Sequence, residues 1–250
     1  MKIKENTILI TGGATGIGYA LASAFLEAGN QVIICGRRKD KLKEAEKKLS
    51  GIQVRICDVT DFVACVELIE WMKKNHPSFN MLINNAGIQQ ILDFKQKVPV
   101  EAISNEITTN FTAPAHLANL SIRHFKKQKE SAIINITSGL AYIPLAIMPV
   151  YCASKSALHT FSVSLRGQLR DTNVKVFEII PPIVDTELDK GSRGKREQGD
   201  RGIQPKEVAT ETLKALEKNL FEHPIGMARN LYAAAHSDKA LFVFNRMNGG

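Results

Sequence analysis

The chain contains no apolar run of about 18 residues, the length a helix needs to span a bilayer, so no transmembrane helix is expected. Its opening residues, Met1-Lys-Ile-Lys-Glu-Asn6, lack the long apolar stretch and small-residue cleavage site of a secretory signal, which points to the cytoplasm. Cysteine is sparse. Cys35, Cys57, Cys65 and Cys152 form no C-x-x-C pair and no Cys/His cluster of ligand spacing. They read as reduced, small apolar residues, and no metal site is expected. Linker-like breaks and internal repeats are absent before residue 186, so a single domain over residues 1–250 is expected. Hydrophobic content of 44% and charged content of 23% are ordinary for a globular chain. The net charge is +8, yet the basic run from Lys39 to Lys48 has acids interleaved, like a solvated helix face. That distribution argues for attraction of a small anionic ligand rather than for a nucleic-acid groove.

One absence is local. Thr7 to Thr11 is a short β-branched apolar run that reads as a strand. Thr11-Gly12-Gly-Ala-Thr15-Gly16-Ile17-Gly18 follows, then an apolar-periodic helix that stops at Gly29. Strand, glycine loop and helix in this order form a dinucleotide-site signal. The glycines let a pyrophosphate approach the backbone, and the helix start offers unpaired N–H groups. Gln31 to Cys35 is the next strand. Such sites usually place an acid at its tip for the ribose 2′-hydroxyl; here the residues are Gly36, Arg37 and Arg38, with no carboxylate. Two guanidiniums suit a 2′-phosphate, so NADP(H) is favoured over NAD(H).

Further strands are expected at Ile52–Cys57, Met81–Gly87, Ser131–Ser138 and Val174–Ile180. Helices are expected at Asp40–Leu49, Phe62–Lys74, Glu101–His124 and from Tyr151 to about Leu169. Strands alternating with helices predict an α/β, Rossmann-type doubly wound parallel sheet with helices on both faces.

Tyr151 and Lys155 stand at i and i+4, stacked on one helix face. A cation there favours the phenolate and draws its pKa down from about 10, as a general acid/base requires. That spacing also arises by chance on many helices. Its weight comes from company. Thr11-Gly-x-x-x-Gly16-Ile-Gly18, Asn84-Asn85-Ala86-Gly87, Asn110 in the following helix, Ser138, and Tyr151-x-x-x-Lys155 occur in one order, and together they resemble the short-chain dehydrogenase/reductase family over roughly residues 5 to 187. Cys35-Gly-Arg-Arg38 and the run from Pro181 to Thr186 look like its DltE-type bacterial oxidoreductases.

The resemblance implies Tyr151 as general acid/base, Lys155 lowering its pKa and holding the nicotinamide ribose, Ser138 polarising the substrate oxygen, and Asn110 supporting a water relay. For the cofactor it implies Asp58 and Val59 at the adenine, Asn85, Ala86 and Gly87 on the adenosine side, and Pro181, Ile183, Val184 and Thr186 near the nicotinamide. Two features depart from the family. Pro182 stands where a glycine commonly follows Pro181, stiffening that wall. Residues 221–250 allow only a short strand and then helical turns, an atypical C-terminal end.

Residues 186–205 are polar and glycine-punctuated, and in the family this segment covers the substrate, so a lid is expected. Its basic balance points to an anionic substrate, while Leu140 to Pro149 supplies an apolar wall for a partly hydrophobic one. Tyr142 there either contacts substrate or packs, and His159 is expected to pack against a helix or at an interface rather than relay protons. The function expected is NADP-dependent hydride transfer between nicotinamide and a small-molecule carbonyl or alcohol; the alternative is a catalytically idle dinucleotide-binding sensor. The Glu101 and Tyr151 helices resemble the family's dimer-forming pair, so a homodimer is expected, with a tetramer as the larger option.

Overall fold

The computed structural model describes residues 1–188 and 202–249. Its strands are β1 (Thr7–Thr11), β2 (Gln31–Gly36), β3 (Gln53–Ile56), β4 (Phe79–Asn84), β5 (Ser131–Ile136), β6 (Val174–Ile180) and β7 (Glu222–Pro224). They form one parallel sheet in the order β3-β2-β1-β4-β5-β6-β7. The helices are α1 (Gly16–Glu27), α2 (Lys39–Lys48), α3 (Phe62–Asn75), α4 (Val100–Ile107), α5 (Ala113–Phe125), α6 (Pro149–Gln168), α7 (Pro205–Glu217), α8 (Ala228–Ala235) and α9 (Ala240–Met247). The expected doubly wound α/β fold is what forms.

Its logic is burial on both faces. Ile8-Leu9-Ile10, Ile33-Ile34 and Ile133-Ile134 are fully buried, as β-branched strands covered by helices on two sides must be. One core layer joins Ile8, Ile10 and Ile34 to Leu21 and Phe25 of α1; the other joins Leu9 and Ile33 to Ile69 of α3 and Leu117 of α5. β1 pairs with both β2 and β4, so the strand order reverses beside it. A crevice opens at such a reversal, beyond the carboxyl ends of the strands.

One element differs from the sequence expectation. The single helix expected over 101–124 is α4, a five-residue π-type turn at Thr108–Thr112, and α5. Pro114 has no N–H to give the carbonyl of Asn110, and the helix shifts register there. The helical turns expected over 230–247 form as two helices, broken at 236–239. Among the described residues no helix is long and apolar enough to cross a membrane.

Candidate active site

Most of the candidate residues line one elongated cavity of about 1240 Å³ at the carboxyl edge of the sheet. Thr11, Gly18 and Asn110 stand behind its wall instead. Thr11 Oγ1 accepts the backbone N–H groups of Asn85 and Ala86, each at 3.0 Å. Asn85 Nδ2 returns hydrogen bonds to the carbonyls of Thr11 (2.9 Å) and Gly12 (3.2 Å). These bonds lock the loop after β4 to the glycine loop. Gly18 is a packing glycine: a Cβ there would lie 2.3 Å from the Gly12 carbonyl oxygen.

The glycine loop fits a dinucleotide. Gly12 has φ +63° and a Cβ on it would stand 2.9 Å from Ala86 Cα; Gly16 has φ +56° and a Cβ on it would stand 3.1 Å from Thr186 Cγ2. Any side chain at either position would be strained and would fill the cradle. Thr15 sits at the N-cap of α1 but does not cap it. Its hydroxyl accepts a bond from Arg38 at 3.0 Å, leaving the first N–H groups of α1 to an anion. Ile17 also lines this part of the cavity. Arg37 and Arg38 line its rim with Asp58 and Val59 nearby. Arg38 is paired with Glu187 at 3.0 Å, whereas Asp58 Oδ1 accepts from the Thr60 backbone (3.0 Å) and hydroxyl (2.8 Å). Gly87, Pro181, Pro182, Ile183, Val184 and Thr186 complete the wall toward the catalytic end.

At that end α6 brings Tyr151 and Lys155 against Ser138, which follows β5. All three are buried yet touch the cavity. Ser138 Oγ accepts the Leu140 N–H at 3.1 Å, which orients the hydroxyl while leaving its proton to donate. Lys155 is 4% exposed; its ammonium donates to the Ile136 carbonyl at 2.8 Å and stands 5.9 Å from the Tyr151 ring centre. Burial pushes the Lys155 pKa down to about 8, with Glu106 and Glu178 opposing the fall. Asn110 is fully buried and commits its side chain to structure: Oδ1 accepts the Ile88 N–H (2.9 Å), and Nδ2 donates to the Ile88 carbonyl and Ser154 Oγ (2.9 Å each).

Other expectations resolve locally. Tyr142 lies off the cavity; its hydroxyl meets His159 Nδ1 at 2.9 Å, and His159 pairs with the buried Glu178 at 2.8 Å. Both residues pack. Leu140, Leu145 and Met148 supply the apolar wall. Burial pushes the Cys152 thiol pKa up, which suits an inert apolar residue. Residues 189–201, most of the expected lid, lie outside the described residues. The ends of that segment are described, and Val184 bridges to Ile203. Among the described residues there is no cluster of ligands suited to a metal.

Sequence reasoning missed two features. Glu106 is fully buried beside α6, with Oε1 bonded to the Gln90 N–H (3.0 Å) and Oε2 without a partner. Its position one turn before Asn110 was the available signal. The other is the C-terminal contribution to the cavity, from Met227 through Met247, whose signal was the apolar-basic spacing of α9.

The residues match the family description "short chain dehydrogenase" over 6–197. The chain belongs to the short-chain dehydrogenase/reductase family of NAD(P)-dependent oxidoreductases. It is 46% identical, over 99% of its length and 98% of the relative's, to the uncharacterized oxidoreductase DltE of Bacillus subtilis (strain 168). It is 30% identical to the 11-beta-hydroxysteroid dehydrogenase-like 3 of Arabidopsis thaliana, over 74% of this chain and 61% of that one. A solved short chain dehydrogenase from Burkholderia cenocepacia J2315, in complex with NADP, has the same fold: TM-score 0.86, 24% identity, 99% of both chains covered.

Proposed function

We propose that the protein is an NADP(H)-dependent carbonyl reductase or alcohol dehydrogenase, with Tyr151 as its general acid/base. The observation that carries the reading is one cavity lined at one end by Ser138, Tyr151 and Lys155 and at the other by Arg37 and Arg38, with no carboxylate at the tip of β2. The NADP bound to the Burkholderia cenocepacia relative is consistent with it.

The bound nicotinamide supplies the hydride donor or acceptor. The chain supplies the rest. Ser138 Oγ–H donates to the substrate oxygen and holds it beside the Tyr151 hydroxyl. Tyr151 gives that oxygen a proton in reduction and takes one in oxidation. The Lys155 ammonium stabilises the phenolate left behind. Asn110 holds the 87–88 turn and α6 in register beneath them, and its backbone carbonyl, deprived of a donor at Pro114, suits a water relay. Arg37 and Arg38 would take the 2′-phosphate by charge-assisted hydrogen bonds. Residues 186–205 would serve as the substrate lid, and the outer face of α6 around Phe161, beside Phe111, would receive a second copy of the chain.

The test follows absorbance of NADPH and of NADH against a panel of aldehydes, ketones, quinones and sugars. Oxidation of NADPH in preference to NADH by at least one carbonyl is the expected result. Tight NADPH binding with no oxidation by any of them would favour the sensor alternative.

A further inference from the structure

Past Ser138 the cavity continues between the two C-terminal helices and the 140–148 loop, segments that take no part in the chemistry above. α8 lies on the turn after Ser138: a Cβ at Gly139 would stand 3.0 Å from Leu231 Cδ1 and 3.2 Å from Ala228 Cβ. α9 is fastened to the loop that leads into α6. Asn248, just past its end, accepts the Ala146 N–H at 2.6 Å and donates to the Pro144 carbonyl at 3.3 Å. The C-terminal helices are thus held against the same loop that carries the apolar wall. On α9, Phe242, Val243, Arg246 and Met247 fall at i, i+1, i+4 and i+5, which is one helix face, and all four line the cavity. Leu140, Leu145 and Met148 line it from the loop side.

Of the other charged groups lining the cavity, Arg37 is the one that also lacks a partner among the described residues, and it belongs to the dinucleotide end. Arg38 is held by Glu187, Asp58 by Thr60, and Lys155 by the Ile136 carbonyl; Arg37 stands at the β2 tip with the glycine loop. Arg246 has no hydrogen bond or ion pair among the described residues. Arg246 is exposed and Phe242, one turn before it, is 66% exposed, so this wall of the cavity is open to solvent and presents a guanidinium without a partner on an otherwise apolar helix face. The planar fork of that guanidinium matches an oxyanion, and the apolar lining matches a hydrocarbon body.

We propose that this end of the cavity is an amphiphile subsite, in which Arg246 holds a terminal carboxylate or phosphate and the faces of α9 and the 140–148 loop hold an apolar chain. The substrate is then an anionic, partly apolar carbonyl compound or the matching alcohol. This inference rests on the oxidoreductase reading for the reacting group and assigns the group remote from it.

Isothermal titration of the full-length protein, saturated with NADP+, against decanoate, decyl phosphate and 1-decanol tests it. At least one anion binds about tenfold more tightly than the alcohol, the size expected of a charge-assisted pair, and the stronger of the two identifies the headgroup. Arg246→Gln brings the anion and the alcohol together, and Arg246→Lys retains part of the difference; NADP+ titration of each variant reports that it is folded. Phe242→Ala weakens all three ligands in parallel. An anion preference that survives in Arg246→Gln overturns the proposal, as does equal binding of anion and alcohol or no binding of any. If neutral carbonyls are reduced while the anion preference is missing, the subsite falls and the oxidoreductase reading stands. If the preference is found but no carbonyl oxidises NADPH, the reading falls instead.

Discussion

Asn110 donates a hydrogen bond of 2.9 Å to Ser154 Oγ, and the Ser154 hydroxyl donates in turn to the Tyr151 carbonyl at 2.7 Å. The π-type turn is thereby tied to the helix turn that carries the phenol. The same Asn110 side chain satisfies both backbone groups of Ile88, beside Gly87 on the cavity wall. One buried amide therefore sets the spacing between the 87–88 turn and α6.

Asn110→Ala leaves the Ile88 N–H and C=O and the Ser154 hydroxyl short of a partner in a dry interior. The expected loss is roughly 3 kcal/mol of stability, read from urea unfolding. NADPH affinity falls along with turnover, because the 87–88 turn is released as well as α6. Unchanged unfolding with intact NADPH binding contradicts this role.

Arg37 and Arg38 occupy unlike positions. Arg38 is held by Glu187 and Thr15, while Arg37 has no such partner among the described residues. Arg37→Ala should weaken NADPH roughly tenfold and leave NADH unaffected, since charge-assisted bonds to a phosphate are lost only where the phosphate exists. The Arg38–Glu187 pair is about half exposed and so worth under about 1 kcal/mol. Glu187→Gln should release Arg38 and remove a nearby negative charge, tightening NADPH a few-fold. Fluorescence titration with both cofactors reads each effect, and equal changes for NADPH and NADH would contradict the 2′-phosphate assignment.

Glu106 carries the pH dependence. Burial raises its pKa from the ordinary 4.5 to about 7, against the Gln90 N–H and Lys155, which lower it. Between those values the folded chain keeps a proton that the unfolded chain has released, so stability falls as pH rises from about 4.5 to 7. Glu106→Gln removes that slope. Relative to wild type it gains roughly 2 kcal/mol between pH 5 and pH 7 in urea unfolding. Glu106 also raises the Lys155 pKa, so the variant moves the alkaline fall of NADPH affinity to lower pH. Parallel stability curves for the two proteins would show that Glu106 does not titrate in this range.

The parts legible in the sequence are those whose cause is local. β1, the glycine loop and α1 follow one another within 21 residues, Thr7 to Glu27, and each is set by its own residues. The Tyr151–Lys155 pair is likewise a matter of helix spacing. What escaped depends on distant partners. Glu106 reads as one more polar helix residue until α6 covers it. Tyr142 could serve pocket or core, and the buried carboxylate of Glu178, contributed by β6, decides for the core. The break of the 101–124 helix had a local cause in Pro114, but the register shift appears only when Asn110 is seen to reach both Ile88 and Ser154. The C-terminal helices line the cavity because Gly139 and the 144–146 loop receive them, contacts more than 85 residues apart in the chain.

In the proposed reaction, hydride passes from the cofactor to a carbonyl carbon while Tyr151 supplies the proton. Incubation with NADPH deuterated at nicotinamide C4, followed by mass spectrometry of the alcohol product, tests it directly. One deuterium is expected at the carbinol carbon with the wild-type protein, and a rate lowered about a hundredfold or more in Tyr151→Phe with NADPH still bound. Bound NADPH with no deuterium delivered to any carbonyl, or undiminished delivery by Tyr151→Phe, would contradict it.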